Sequence, residues 1–204
     1  MKEDVIDCHT HTVGSCDGII SVSPDFSALE PDKVYSVGIH PWSTSDDREI
    51  NFQELGKAAS ADQVVAIGEC GLDRLRGASL DIQIGVFEKH IELSEHIGKP
   101  LIIHCVRCSS ELLALRCKYS PAQPWIYHGF RGKPELARQL ADSGFYLSFG
   151  EKYNEDSLMT VPDDRLLLET DDSHLTVRQI MELYPAEKAA CASENLRRLL
   201  RNNY

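Results

Sequence analysis

From residue 64 onward, short apolar runs rich in β-branched residues alternate with longer stretches of helical spacing, and that rhythm limits the folds open to the chain. Strands are expected near 64–70, 101–106, 125–129, 145–149 and 166–171, with earlier ones near 5–10 and 34–39 and a weaker one, GIISVS, at 18–23. Helices are expected over 51–60, 81–98, 109–119, 134–143 and 176–201, the last broken at Pro185. The clearest is DIQIGVFEKHIELSEHIG, where Ile84, Phe87, Ile91 and Ile97 make an apolar stripe that Gly98 and Pro100 terminate. Strands separated by helices pair in parallel as βαβ units. Eight strands predict a TIM-type (β/α) barrel; a doubly wound open sheet is the other arrangement with this pattern. Such barrels usually take ~250 residues. This chain has 204, and between His11 and Val34 there is little room for helices, so the barrel is trimmed near strands 1–3. No linker or repeat interrupts it, so residues 1–204 read as one domain.

Composition narrows the function. No apolar run reaches the ~20 residues that span a bilayer, so no membrane partner is expected. The N-terminal MKEDVIDCHT lacks an apolar leader, and seven cysteines without one suit reduced thiols and a cytoplasmic location. The net charge of −11 repels long nucleic acids unless a local cationic or metal site offsets it. Neither the phosphate-cradling glycine loops nor the G-x-S-x-G elbow occurs.

The polar residues that break the apolar runs fall at strand ends. Strand one ends in His9 and His11, the next in GIHPW with His40, then GEC-GLD with Glu69 and Asp73. His104, His128, and the trio Glu169, Asp171 and Asp172 follow at later strand ends. Five of the eight histidines thus lie on the face where barrel active sites sit. A lone histidine is ordinarily a satisfied core or surface residue, and His90 and His96, on the amphipathic helix, read as solvated. His-x-His at a strand end is a stronger signal. Glu69 and Asp171 follow apolar runs in which an unpaired carboxylate is costly to bury, and a shared divalent cation resolves both costs. Strand alternation puts Asp7, His9 and His11 on one side. It turns Cys8, Cys70 and Cys105 the other way, into the layer between barrel and helices. Cys105-x-x-Cys108 has no second pair to complete a zinc site.

In order, DCHTHT, GIHPW, AIGECGLD, KPLIIHC, HGFRG, YLSFG and LLLETD resemble the motifs of the TatD family of metal-dependent hydrolases, across nearly the whole chain. The resemblance implies two divalent metal ions (Mg, Mn or Zn): one on His9, His11 and Asp171, the other on His104 and His128, with Glu69 bridging. It also implies that His40 lies near the scissile phosphate, that Asp171 orients or deprotonates the attacking water, and that Asp73 stands behind the ligands. Arg107, Arg131 and Lys152, near strand ends, are expected to contact phosphate or the substrate rim. The expected activity is phosphodiester hydrolysis, a deoxyribonuclease or exonuclease acting on short or single-stranded DNA ends, with no obligate protein partner. Alternatives are hydrolysis of another ester or amide, including the aminoacyl ester of tRNA, and a metal-binding scaffold without catalysis. The chain departs from the family pattern at Thr12 and Val13 after the second histidine, at Arg74, and in the placing of Arg107 one residue late.

Overall fold

A computed structural model describes residues 5–45 and 50–201. Eight parallel strands run in sequence order: β1 (Asp7–Thr10), β2 (Gly18–Val22), β3 (Val34–Val37), β4 (Val64–Asp73), β5 (Leu101–Val106), β6 (Trp125–Tyr127), β7 (Phe145–Phe149) and β8 (Leu166–Leu168). Beyond β8 the chain returns to β1: the Asp171 N–H donates to the His9 carbonyl at 3.0 Å, and the His11 N–H to the Asp171 carbonyl at 3.2 Å. The TIM-type barrel is therefore closed at its mouth by the very residues that carry candidate ligands. Around it lie α1 (Phe52–Ala59), α2 (Leu80–Ile97), α3 (Ser109–Tyr119), α4 (Pro134–Asp142), α5 (Glu155–Thr160), α6 (Val177–Glu182) and α7 (Ala186–Arg201). The break between α6 and α7 falls at Pro185, as the sequence predicts; α5 is an element the sequence reading lacks.

Outward side chains such as Ile103, Trp125, Phe145 and Leu168 pack under the helices, while Ile102, Ile126, Tyr146 and Leu167 form a separate inner cluster. Alternation then carries each inner residue to a polar one nearer the mouth: Ile102 to His104, Ile126 to His128, Leu167 to Glu169 and Asp171. No helix separates β1 from β2, or β2 from β3. The outer side of β1 is correspondingly polar. Asp7 accepts from the Thr170 hydroxyl at 2.6 Å and from its N–H at 3.0 Å, and Thr170 and Thr10 share a 2.7 Å hydrogen bond.

Two expectations fail, for stateable reasons. The β1–β2 register shifts between Asp7 and Thr10, a β-bulge that reverses the alternation locally. Cys8 therefore turns inward: its thiol donates to Ser148 Oγ at 2.9 Å, on a strand that is not β1's neighbour, and it joins the inner apolar cluster. Asp7 turns toward Thr170 instead of lining up behind His9. Cys70 and Cys105 do pack outward. The second failure is His90, which is fully buried rather than solvated. Its Nδ1–H donates to the Val86 carbonyl at 2.8 Å and its Nε2 accepts the Ile39 N–H at 2.9 Å.

Burial holds the His90 pKa down to about 4, below its ordinary 6.5, against the smaller opposing pull of the Val86 carbonyl. Between those values the unfolded chain takes up a proton that the folded chain refuses. Stability is thus full above pH 6.5 and drains as the pH falls toward 4, by on the order of 3 kcal/mol for this group. Urea denaturation across that window should show the loss in the native chain and a smaller loss in His90→Gln; equal slopes would contradict it.

Candidate metal centre

The mouth of the barrel is organised on Glu69. It is delivered by a second bulge, in β4, where the β4–β5 register shifts between Ile67 and Cys70 so that both of those pack outward and Glu69 faces in. The bulge requires glycine: Gly68 has φ +143, and a Cβ there would sit 2.4 Å from the Ile102 carbonyl oxygen. Five imidazoles close on this one carboxylate. His40 Nε2, His104 Nδ1 and His128 Nε2 stand 3.0, 2.8 and 2.9 Å from Oε1. His9 Nε2 and His11 Nε2 each stand 3.4 Å from Oε2. Asp171 faces the same pair, its Oδ1 3.8 Å from His9 and 3.6 Å from His11. Asp171 has φ 52, a left-handed conformation that aspartate tolerates better than most residues.

Burial works to raise the Glu69 pKa, but the charge of His128 and hydrogen bonds from His104, His11 and His128 outweigh it and hold the carboxyl well below the usual range. His128 shows the converse: burial works to lower it, and Glu69 with Glu169 holds it well up. Asp171 is raised, by burial and then by Glu169. Among the described residues, donor atoms gather in four overlapping groups spaced as a metal ion would require: His9–Glu69–His128, His9–His11–Asp171, His40–Glu69–His104 and His128–Glu169–Asp171. Both ring nitrogens of His9, Nδ1 of His128 and Oε2 of Glu169 are buried without a hydrogen-bond partner. Buried polar atoms left this way are costly, and a cation among imidazole and carboxylate donors relieves that cost. The donor set suits Mg, Mn or Zn and does not choose among them.

The structure thus brings His9, His11, His40, Glu69, His104, His128 and Asp171 together. It separates His40 from the other imidazoles by its proton. His40 Nδ1 accepts the Trp42 N–H at 3.2 Å, so the ring proton sits on Nε2 and points at Glu69. His40 therefore faces the site as a hydrogen-bond donor, and in this tautomer the His40–Glu69–His104 group lacks the lone pair it would need from His40. Carboxylates behind the candidate ligands face two more rings. Asp73 Oδ2 lies 3.2 Å from His104 Nε2, and Glu169 Oε1 lies 3.6 Å from His128 Nδ1. Asp73 also accepts from Trp42 Nε1 at 2.5 Å and from the Leu75 N–H at 2.7 Å. A role for Glu169 and Trp42 is what the sequence reading misses. For Glu169 the signal was present: it is two residues from Asp171, so both face one side. A cavity of about 640 Å³ adjoins the centre, bordered by Val22, Ser23, Asp25, Ile39, Asn51 and Glu54 as well as His40 and Trp42. Arg107 and Arg131 are exposed and do not line it, and Lys152 is exposed as well.

Residues 23–200 match the family model described as TatD related DNase. The chain belongs to the TatD family. Its relatives include the metal-dependent hydrolase YabD of Bacillus subtilis, 31% identical over 204 residues and covering 85% of this chain and 80% of that protein. The 3'-5' ssDNA/RNA exonuclease TatD of Cronobacter sakazakii is 32% identical over 155 residues, covering 71% of this chain and 59% of the relative. The metal-dependent hydrolase YcfH of Escherichia coli is 33% identical, over 70% of this chain and 56% of its own. The chain therefore spans less than two thirds of those last two TatD relatives. Among solved structures, the TatD homologue YJJV of Escherichia coli aligns over 100% of this chain and 97% of its own with a TM-score of 0.75 at 19% identity, a likeness of fold. A TatD family hydrolase from Entamoeba histolytica aligns over 67% of this chain and 50% of its own, with a TM-score of 0.59 at 25% identity. The family match starts after His11, at the stretch where the helices between the first strands are missing.

The proton assignment can be checked without a substrate. Long-range ¹H–¹⁵N spectra of the ring should show His40 protonated on Nε2 with Nδ1 bare; a proton on Nδ1 would contradict the Trp42 hydrogen bond.

Proposed function

We propose that the chain hydrolyses phosphodiester bonds with two divalent cations held around Glu69, as a TatD-type deoxyribonuclease or exonuclease acting on short or single-stranded ends. The observation that carries this reading is the division of labour on Glu69: its two oxygens meet two different sets of imidazoles. His9, His11 and Asp171 would hold one cation, His104 and His128 the other, and Glu69 both. Cations bound there lower the pKa of a water and stabilise the attacking and leaving oxygens of a displacement. The chain's own groups do the rest. Asp171, a quarter exposed, meets incoming water and takes its proton. The His40 Nε2–H, 3.0 Å from Glu69, would donate to a phosphoryl oxygen there. Asp73 fixes the ring of His104 by a hydrogen bond, and Glu169 faces the ring of His128 as an ion-pair partner.

The cavity supports a short substrate over a duplex track. Among the described residues no lysine or arginine lines it, and Asp25, Glu54 and Asp172 do. Arg107 and Arg131 stand outside, where they meet phosphates of a chain leaving the rim. The absence of these cations from the described cavity lining also favours a second reading: hydrolysis of an uncharged carboxylic or aminoacyl ester on the same centre.

With Mg, Mn or Zn supplied in turn, the protein should cleave a short single-stranded oligonucleotide and a model phosphodiester, and a chelator should stop it. Glu69→Gln and Asp171→Asn should each lose about a thousandfold or more in kcat/KM while keeping the native circular dichroism. Full activity in either variant contradicts the mechanism. Turnover of carboxylic esters alone selects the second reading, and bound metal with no turnover on any substrate selects a scaffold.

A further inference from the structure

The His40 loop leaves the barrel where the sheet stops supporting it. The β3–β4 ladder ends with Val37 opposite Ile67, and the Ile39 N–H, two residues on, goes to an imidazole instead of a strand. We propose that His90 is a positioning residue for His40, its ring acting as a fixed acceptor that sets the backbone from which His40 reaches Glu69. This rests on the reading of His40 as a substrate contact given above.

The geometry leaves His90 one way to be. A carbonyl only accepts, so the 2.8 Å contact with Val86 places the proton on Nδ1; Nε2 is then bare and takes the Ile39 N–H at 2.9 Å. Both ring nitrogens are used and the side chain is fully buried, so neither bond competes with water. A second proton would set N–H against N–H, and burial holds the ring pKa down to about 4, which keeps the acceptor intact. The loop it holds has little slack. A Cβ on Gly38 would come 2.6 Å from the Glu69 carbonyl oxygen, so the main chain of this loop lies directly against that of β4. From Ile39 the chain passes directly to His40, whose Nε2 is 3.0 Å from Glu69 Oε1.

The same buried face of α2 secures the neighbouring loop. Gln83, seven residues before His90, accepts the Asp73 N–H at 2.7 Å, and its amide NH2 is shared among the carbonyls of Asp73, Arg76 and Ala78 at 2.9, 2.8 and 2.8 Å. The two loops are joined to each other by Trp42 Nε1 on Asp73 and by the Ala78 N–H on Thr44 Oγ1 at 3.1 Å. One helix thus fixes both loops that flank the His40–His104 side of the centre.

Two measurements test this. In the native protein, a scalar coupling across the N–H···N bond between Ile39 and His90 Nε2 should be visible by ¹⁵N NMR, and its absence overturns the proposal whatever the substrate is. Second, His90→Leu should raise the exchange rate of the Ile39 amide at least tenfold and lower kcat/KM about 10- to 100-fold with the metal content unchanged. His90→Gln, which keeps an acceptor and a donor, should recover most of both. The loss must vanish in a His40→Ala background, because His90 acts through His40; an equal loss in both backgrounds overturns the proposal. If His90→Leu does not fold, the coupling and the His90→Gln exchange rate decide. If no phosphodiester or ester is turned over, the proposed function fails, and the coupling and exchange readouts still stand or fall alone.

Discussion

A carboxylate at the centre of a barrel is held by five imidazoles, and the rest of the structure serves that contact. Glu69 sits where burial opposes its charge, so it persists only because nitrogen donors surround it. To place it there β4 breaks its alternation at Gly68, a position a side chain cannot occupy. To place His9 and His11 opposite it, β1 bulges as well. The seam that closes the barrel is drawn by Asp171, whose main chain pairs with His9 and His11 while its carboxylate faces them. Closure of the fold and assembly of the centre are therefore one event at this edge.

The trimmed side of the barrel shows how the fold survives the missing helices. No helix follows β1 directly. Asp7, Thr10 and Thr170 instead satisfy one another, and Gly18, paired with Asp7, lets the loop carrying Ser15 lie close. Burial pushes the Asp7 carboxyl up to about 8, against the hydrogen bonds it receives from Thr170 and the His9 N–H, so this cluster is a polar substitute for packing rather than a salt bridge.

Much of this was legible in the sequence, and where it was not the cause is local. The strand–helix rhythm gives the barrel, and the polar residues ending apolar runs give the centre, because burial of an ionisable group at a strand end needs a reason. Alternation misplaces Cys8 because it holds only in unbroken ladders, and the bulge in β1 carries no mark in the sequence around it. Helical spacing alone puts His90 on the solvated side; its acceptor role comes from Ile39, fifty-one positions away. Trp42 and Asp73 meet across two loops whose approach no spacing encodes. Arg107 and Arg131 follow strand ends, yet both are exposed and neither lines the cavity.

The central claim is that Glu69 is shared by two cations. Crystals of the protein soaked in Mn or Zn, measured at the metal absorption edge, test it most directly. The account predicts two anomalous peaks ~4 Å apart, one on each side of the Glu69 carboxylate, the first among His9, His11 and Asp171 and the second beside His104 and His128. A single peak, or peaks that leave Glu69 without metal contact, would contradict it.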